Sequence, residues 1–484
     1  MAYKHGVYVT EAASTVPAKV PSDLGVQVVI GVAPVNMAAD PSKAVNVPLL
    51  CNTLEEATAA VGYSEKCDFS AYTLCQSIDM TFNKFNVAPI VLINVLDPAK
   101  HKTSVTQAEF AVKNRKATIS QFGVLLSSVA VKATAAGAAM VKDTDYVLSF
   151  DSDGYVTVAF TSTGAGSSAT SVYIAFDKLD PSKVTVDDII GGTTAEGVET
   201  GLALIRQIYP LFGVNAGLIT APGWSKNAAA AAIMESVCTD INGCFVSECI
   251  VDIDATTTKL YTDVEAAKTT LGVTSGHTIV CWPMWSQDGR IYSMSAVASA
   301  LMIANDMGHD EVPYTSPDNK SMGDGYTCLS DGTKVLLDQP QANVLNGAGV
   351  CTGLNLRGFK FWGNNTAAYP GTNVDFKDRW ISVRRFFTWW TNRFINTYIS
   401  AVGGNVSKRQ VETIVDDENI RCNGYVARGY CAGAKIAFLY SQSDLVNGKI
   451  AFTETIGGYP PIEEIENTVT CDLSYVAAEF GGEA

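Results

Sequence analysis

Histidine is scarce: the 484 residues hold four, His5, His101, His277 and His309. None of the last three has a serine or cysteine nucleophile signature near it in sequence, so no histidine-based triad is legible. Positive charge is also in short supply. Thirty-four Lys and Arg stand against 49 Asp and Glu, for a net charge of -15 and an isoelectric point near 4.8. That balance argues against a nucleic-acid partner. No stretch approaches the ~18 unbroken apolar residues that a membrane span needs. Met1-Ala-Tyr-Lys-His-Gly-Val-Tyr-Val-Thr10 has no apolar h-region, which reads against a signal peptide and for a short strand instead. Cys-x-x-Cys is absent. Most of the 12 cysteines sit inside apolar runs, and Cys238, Cys244 and Cys249 lack metal spacing, so reduced core thiols are expected. On that reading the sequons at Asn319, Asn364 and Asn405 are chance matches.

What remains is a chain that is 47% hydrophobic and 17% charged, a globular composition and too long for one ordinary core. Val26–Val32 and Ala88–Val95 are near-continuous apolar strands, separated by a helix opening at Thr53 with Glu56 (a capping box) and a second helix over 69–84. From 101 to 190 the pattern changes to short strands and turns. Asp145–Phe150 and Tyr155–Phe160 flank Asp151-Ser-Asp-Gly154 as a hairpin, and Val172–Phe176 follows as a strand. Beyond Gly191-Gly192 the alternation resumes. A helix is expected over 196–209, strands at Ala216–Pro222, Cys244–Asp252 and Thr278–Trp282, and helices over Asn227–Ile241, capped by Ser225, and Asp263–Leu271. Residues 308–350 read as loop-rich. The chain therefore divides into an extended arm (1–22), a central mostly parallel α/β domain (23–100 and 191–350), an inserted β domain (101–190), a C-terminal α+β domain (351–463) and a closing arm (464–484).

The densest stretch is Asp375–Ile399, read as one long helix. At about 100° per residue, Trp380, Val383, Phe387, Trp390, Phe394 and Tyr398 fall within roughly 80°. Lys377, Arg385 and Arg393 lie off this stripe, with Arg384 at its edge, so the helix is expected to carry a basic outer face. A second helix is expected over 408–421, then strands at Ala434–Tyr440 and Lys449–Thr453. After Pro460-Pro461 and the acids Glu463, Glu464 and Glu466, the run 468–476 alternates strictly, placing Val469, Cys471, Leu473 and Tyr475 on one face of a last strand. Proline breaks at Pro17 and Pro21 isolate a first one around Val7, Tyr8 and Val9.

Catalytic motifs fall short. Gly223-Trp-Ser-Lys-Asn lacks the last glycine of a nucleophile elbow. Gly347-Ala-Gly-Val-Cys-Thr-Gly353 is one residue too long for the dinucleotide fingerprint. Asp151-Ser-Asp-Gly begins like a calcium loop, but Tyr155 follows and the closing glutamate is missing. No enzyme activity, cofactor or metal is expected.

The two ends and the aromatic helix resemble one family over most of the chain. Met1–Glu11 is similar to the opening of the contractile tail sheath proteins of bacteriophages, R-type bacteriocins and related injection systems. Gly358-Phe-Lys-Phe-Trp-Gly363, the Ala368-Tyr-Pro-Gly371 turn and Ile381-Ser-Val-Arg-Arg-Phe-Phe387 resemble that family's C-terminal signature. Gly448–Phe452 and Asp472–Tyr475 fit as well. The resemblance implies a central domain of subtilisin-like fold without the triad. It implies homo-oligomers: hexameric rings stacked as a helical sheath, each subunit lending its terminal strands to sheets in its neighbours. It also implies a tail tube partner along the section after 351, with Lys377, Arg385 and Arg393 facing it, and baseplate and tail terminator proteins at the ends. Particles of this kind are assembled in the bacterial host cytoplasm, and membrane insertion plays no part. The alternative is a soluble α/β hydrolase or dehydrogenase with a β insertion.

Overall fold

The computed structural model describes residues 25–405 and 407–481; the expected strand around Val7, Tyr8 and Val9 lies outside them. At the centre is a six-stranded sheet in the order Thr278–Cys281, Glu248–Asp252, Ala216–Thr220, Val26–Gly31, Ile90–Asn94 and Leu49–Cys51. Neighbours among the first five pair in parallel, and the last runs antiparallel at the edge, Leu50 opposite Val91. Val26–Gly31, at the middle, is buried at every position. It has to be apolar throughout because helices cover both faces. Leu74–Ile78 and Met294–Met307 pack on one side. Ala228–Thr239 and the 3-10 turn Gly201–Gln207 pack on the other. The strand starts against Ala216–Thr220 so closely that a Cβ on Gly25 would lie 2.4 Å from Gly217 Cα.

Local chemistry sets the helix starts. Thr53 accepts the Glu56 N–H at 3.1 Å, while the Glu56 carboxylate turns back to the Asn52 N–H at 2.7 Å. The expected cap at Ser225 does not form. Asn227 caps Ala228–Thr239 through the Ala229 N–H. Ser225 is buried and donates to Asp252 instead. The helix expected over 196–209 is mostly a 3-10 turn, continued by the short helix Ile208–Phe212. The loop-rich 308–350 contains the helix Gln339–Gly347, capped by Asp338, and the short strand Tyr326–Cys328.

Residues 102–179 form two three-stranded antiparallel sheets. One orders Lys102–Ala111, Ser171–Leu179 and Ala130–Lys132; the other Lys116–Ile119, Val156–Phe160 and Tyr146–Phe150. Alternate residues point inward into a core of their own, with Ile119, Val131, Val156, Val158, Val172 and Ile174 fully buried. This cluster is separate from the large core around the six-stranded sheet. The two layers meet at Phe122, whose ring lies 5.7 Å from Tyr72 and 6.1 Å from Tyr155, and at Ser64, whose hydroxyl donates to the Asp153 carbonyl at 2.8 Å.

After the hairpin Thr352–Asn355/Phe359–Trp362 comes the aromatic region. The single helix expected over Asp375–Ile399 is two. Phe376–Arg379 is a short turn of helix, and Ile381–Tyr398 is the long one. Trp380 between them is extended, with φ -97° and ψ 126°. The reason lies in the backbone. The Thr366 N–H donates to the Arg379 carbonyl, and the Ile381 N–H to the Asn364 carbonyl, each at 2.8 Å. These bonds to residues 364–366 replace the helical ones. A second long helix, Lys408–Ala427, extends a turn and a half past the expected end and leads into the antiparallel hairpin Cys431–Leu439/Ala451–Gly458.

Candidate assembly surface

The long aromatic helix is sandwiched. Val383, Phe386, Trp389 and Trp390 are buried, as are Arg384, Arg385, Thr388, Asn392 and Arg393. One side faces the central sheet. Arg385 is 4% exposed and grips Asp306, at the end of Met294–Met307, through two bonds of 3.2 and 2.5 Å. Thr388 donates to the buried Glu248. Asn392 exchanges bonds of 3.1 and 2.7 Å with the Val246 backbone. The other side faces the C-terminal elements. Arg393, 2% exposed, pairs with Glu418 on the second long helix at 3.2 and 2.8 Å. Trp390 Nε1 donates to Glu454 on the hairpin at 2.8 Å. Trp389 and Trp390 both pack edge-on against Tyr425, 5.4 and 5.3 Å between centroids.

These pairs shape the electrostatics. Burial raises the Asp306 carboxyl above its ordinary range despite Arg385. Burial also raises Glu418, but the bonds and charge from Arg393, together with bonds from Tyr398 and Arg421, outweigh it, and the net shift is downward. Glu454, with a tryptophan N–H and no such bidentate partner, is raised by burial.

The basic outer face expected on this helix is therefore corrected. Arg385 and Arg393 do lie off the aromatic stripe, but that flank is a second buried interface with its own carboxylates. Arg384, 10% exposed at its side chain, pairs with Asp378 at 2.9 Å. Lys377, on the short preceding helix, keeps 37% side-chain exposure and is paired with Asp375 and Asp378 at 2.7 and 3.2 Å. Within the stripe Trp380, Val383 and Trp390 are buried, while Phe387, Phe394 and Tyr398 are half-buried under the hairpin end.

The accessible unusual surface lies beyond the helices. The hairpin Cys431–Leu439/Ala451–Gly458 is a sheet of two strands, and among the described residues each has one edge without a neighbouring strand. From Tyr459 to Leu473 the chain runs without regular structure, then forms the short helix Ser474–Glu479. The strand expected over 468–476 is not formed: Val469, Leu473 and Tyr475 are 85, 72 and 79% exposed, Cys471 is exposed too, and Tyr475 is helical. Alternating sequence makes a strand only where a ladder receives it, and among the described residues no strand lies alongside. Ile462, Ile465 and Phe480 add to the exposed apolar length.

Among the described residues nothing comparable points to chemistry. Asp252 is buried beside Ser225 and Ser295, and burial raises its carboxyl. Among the described residues no imidazole joins them: His277 bonds the Ser247 carbonyl and His309 the Asn305 carbonyl, while His101 accepts the Asp97 N–H. Among the described residues no cluster of three or more His, Cys, Asp or Glu could hold a metal ion, and no helix is long and apolar enough to cross a membrane. The cysteines are unpaired, ten buried and two, Cys244 and Cys471, exposed.

No protein-family model matches the chain. Individual relatives do. The chain is 24% identical over 436 residues to the tail sheath protein of Burkholderia phage BcepMu, covering 85% of this chain and 87% of that one. It is 23% identical over 304 residues to a putative prophage major tail sheath protein of Pseudomonas aeruginosa strain UCBPP-PA14, 61% of this chain and 75% of the relative. Two solved structures share the fold along nearly the whole length. A chain of the anti-feeding prophage baseplate is 13% identical with a TM-score of 0.57, covering 98% of this chain and all of that one. A chain of the contracted PVC sheath complex, an extracellular contractile injection system, is 14% identical with a TM-score of 0.55, covering 97 and 100%. In sequence the chain is similar to tail sheath proteins of a phage and a prophage, and its fold is similar to that of chains from contractile injection systems.

Proposed function

We propose that this chain is the sheath subunit of a contractile particle, stacking as hexameric rings around an inner tube and contracting to drive that tube through a target envelope. The observation that carries the reading is the pairing of needs at its C-terminal end. An apolar, alternating segment is held out in solvent, and next to it stands a two-stranded sheet that no further strand extends among the described residues. A two-stranded hairpin is marginal on its own, and an exposed apolar tail is an aggregation liability. Strand addition between copies resolves both, because main-chain bonds complete the sheet and the alternate side chains find one face to bury. The run 468–473 then takes up in a neighbour the strand that its sequence favours, with Val7–Val9 as the matching donor from the other end.

The inner tube, the baseplate and the terminator are the further partners. The tube contact is drawn from the section after 351. Arg385 and Arg393 leave it, since each is committed to an internal carboxylate. Lys377 stays, and the exposed Arg409, Arg428 and Lys435 of the long helix and hairpin join it. Contraction must break this contact, and exposed pairs worth at most about 1 kcal/mol each suit that.

The test is negative-stain microscopy of the purified chain beside a truncation lacking 464–484. Tubes or rings are expected from the full chain, and a folded protein that does not assemble from the truncation. Ordinary tubes from the truncation would sink the strand-addition reading. Turnover or a co-purifying cofactor would favour the enzyme alternative.

A further inference from the structure

The C-terminal segment leaves the body after Ala451–Gly458, through Pro460 and Pro461, and is exposed along nearly its whole length. Among the described residues one hydrogen bond holds it to the body. Asn364 Nδ2 donates to Glu463 Oε2 at 2.8 Å, the hydrogen bond that ties residues 459–473 to the body among those described. Asn364 is built to stay put. It is buried, its amide oxygen accepts from the Ser316 hydroxyl, and its carbonyl accepts the Ile381 N–H at the start of the aromatic helix.

The contact sits in an open groove of about 700 Å³ lined by Asp318, Asn343, Trp362 and Arg379, among others. Asp318 accepts the Gly363 N–H at 2.7 Å and lines the same groove as Asn364 and Glu463. The Asn364 amide therefore stands between two carboxylates, one fixed in the body and one on the segment. Burial raises the Asp318 carboxyl, and the facing Glu463 raises it further. Like charges facing each other across the groove oppose the contact that Asn364 makes.

We propose that Asn364, Asp318 and Glu463 form a releasable clamp on the root of the C-terminal segment. Asn364 holds Glu463 to its own subunit, and the facing charge of Asp318 keeps the hold weak enough for the segment to swing toward a neighbour. The clamp fixes where free travel begins, just past Glu463, and so sets the reach and exit direction of everything beyond. Its use in assembly rests on the strand-addition reading; the clamp itself does not.

Cys471 is exposed and lies further along the segment, so it takes a reporter. In the full-length chain carrying Cys244→Ser, a maleimide spin label on Cys471 reports segment mobility by its spectral line shape, in dilute unassembled protein. Glu463→Ala and Asn364→Ala should each raise the fast-motion fraction at least about twofold, to one common level, with the double variant no higher. Asp318→Asn should lower it below the parent. Glu463 is exposed, so its variant folds even where Asn364→Ala does not. Equal mobility in parent and Glu463→Ala, or a rise with Asp318→Asn, would overturn the clamp. If Glu463→Ala frees the label and a chain lacking 464–484 still assembles, the clamp stands and only its use in assembly falls.

Discussion

Lys268 is a buried ammonium whose bonding partners are neutral: its Nζ donates to the Ala348 and Tyr369 carbonyls at 2.8 and 2.7 Å. It staples the helix Val264–Leu271 to the loops before and after the 352–362 hairpin. Burial lowers its pKa from 10.5 to about 8. The sign follows from proton counting. Between about 8 and 10.5 the unfolded chain holds a proton that the folded one has shed, so stability rises with pH across that window. Below about 8 both states are protonated and the penalty is constant. Urea unfolding at pH 7.5 and 9.5 should therefore show a stability difference on the order of 1 kcal/mol more favourable to high pH in the parent than in Lys268→Met. Equal pH dependence in the two proteins would mean the amine is solvated. Neither this staple nor the carboxylates of the aromatic helix are legible in the chain. A helical wheel assumes one dry side and one wet side, so it sends Arg385 and Arg393 to water. Their partners, Asp306 and Glu418, lie 79 and 25 residues away, and no periodicity links them.

Among the elements, those fixed by their own residues are the ones that sequence reveals. Val26–Gly31 and Ile90–Asn94 are unbroken β-branched and aliphatic runs, and the hairpin over Tyr146–Phe160 carries its turn in Asp151-Ser-Asp-Gly154. Those fixed by neighbours are not. Trp380 breaks a helix because residues 364–366 capture its flanking backbone, and Ser225 forsakes a cap for Asp252. The segment 102–179 belongs to the first kind, since it buries its own alternating faces. Its two ends also meet, Lys102 opposite Leu179 in the first rung of its sheet. Replacing 103–178 with a two- to four-residue Gly-Ser turn should therefore close without strain. The remainder loses the Phe122 contact to Tyr72 and the Leu125 packing, at a cost of about 2–4 kcal/mol. A soluble product with a cooperative but lowered melting transition is expected by circular dichroism. Recovery of no folded protein would show that the two cores fold as one.

For the whole molecule, assembly by the proposed strand addition would require each copy to give and to receive. On that reading the giving part is the segment beyond Glu463, and the receiving part is the hairpin Cys431–Leu439/Ala451–Gly458. The two are physically separable, because the hairpin is bonded to the helices beneath it: the Ile436 N–H reaches Asn419, and Trp390 reaches Glu454. Removing 464–484 leaves that sheet and its support intact. Such a chain should still accept a donor from a full-length copy but offer nothing to the next, so it stops growth wherever it enters. Every copy also carries a net charge of -15, so non-specific clumping of like-charged chains does not imitate the effect at moderate salt. In mixtures at fixed total protein, mean tube length measured by electron microscopy should fall steeply as the truncated fraction rises. A fraction of roughly one tenth should already shorten tubes severalfold, because each long tube contains many opportunities for a stop. If the truncated chain merely dilutes the full-length one, and length falls only in proportion to its fraction, then the segment is not the link that joins one copy to the next.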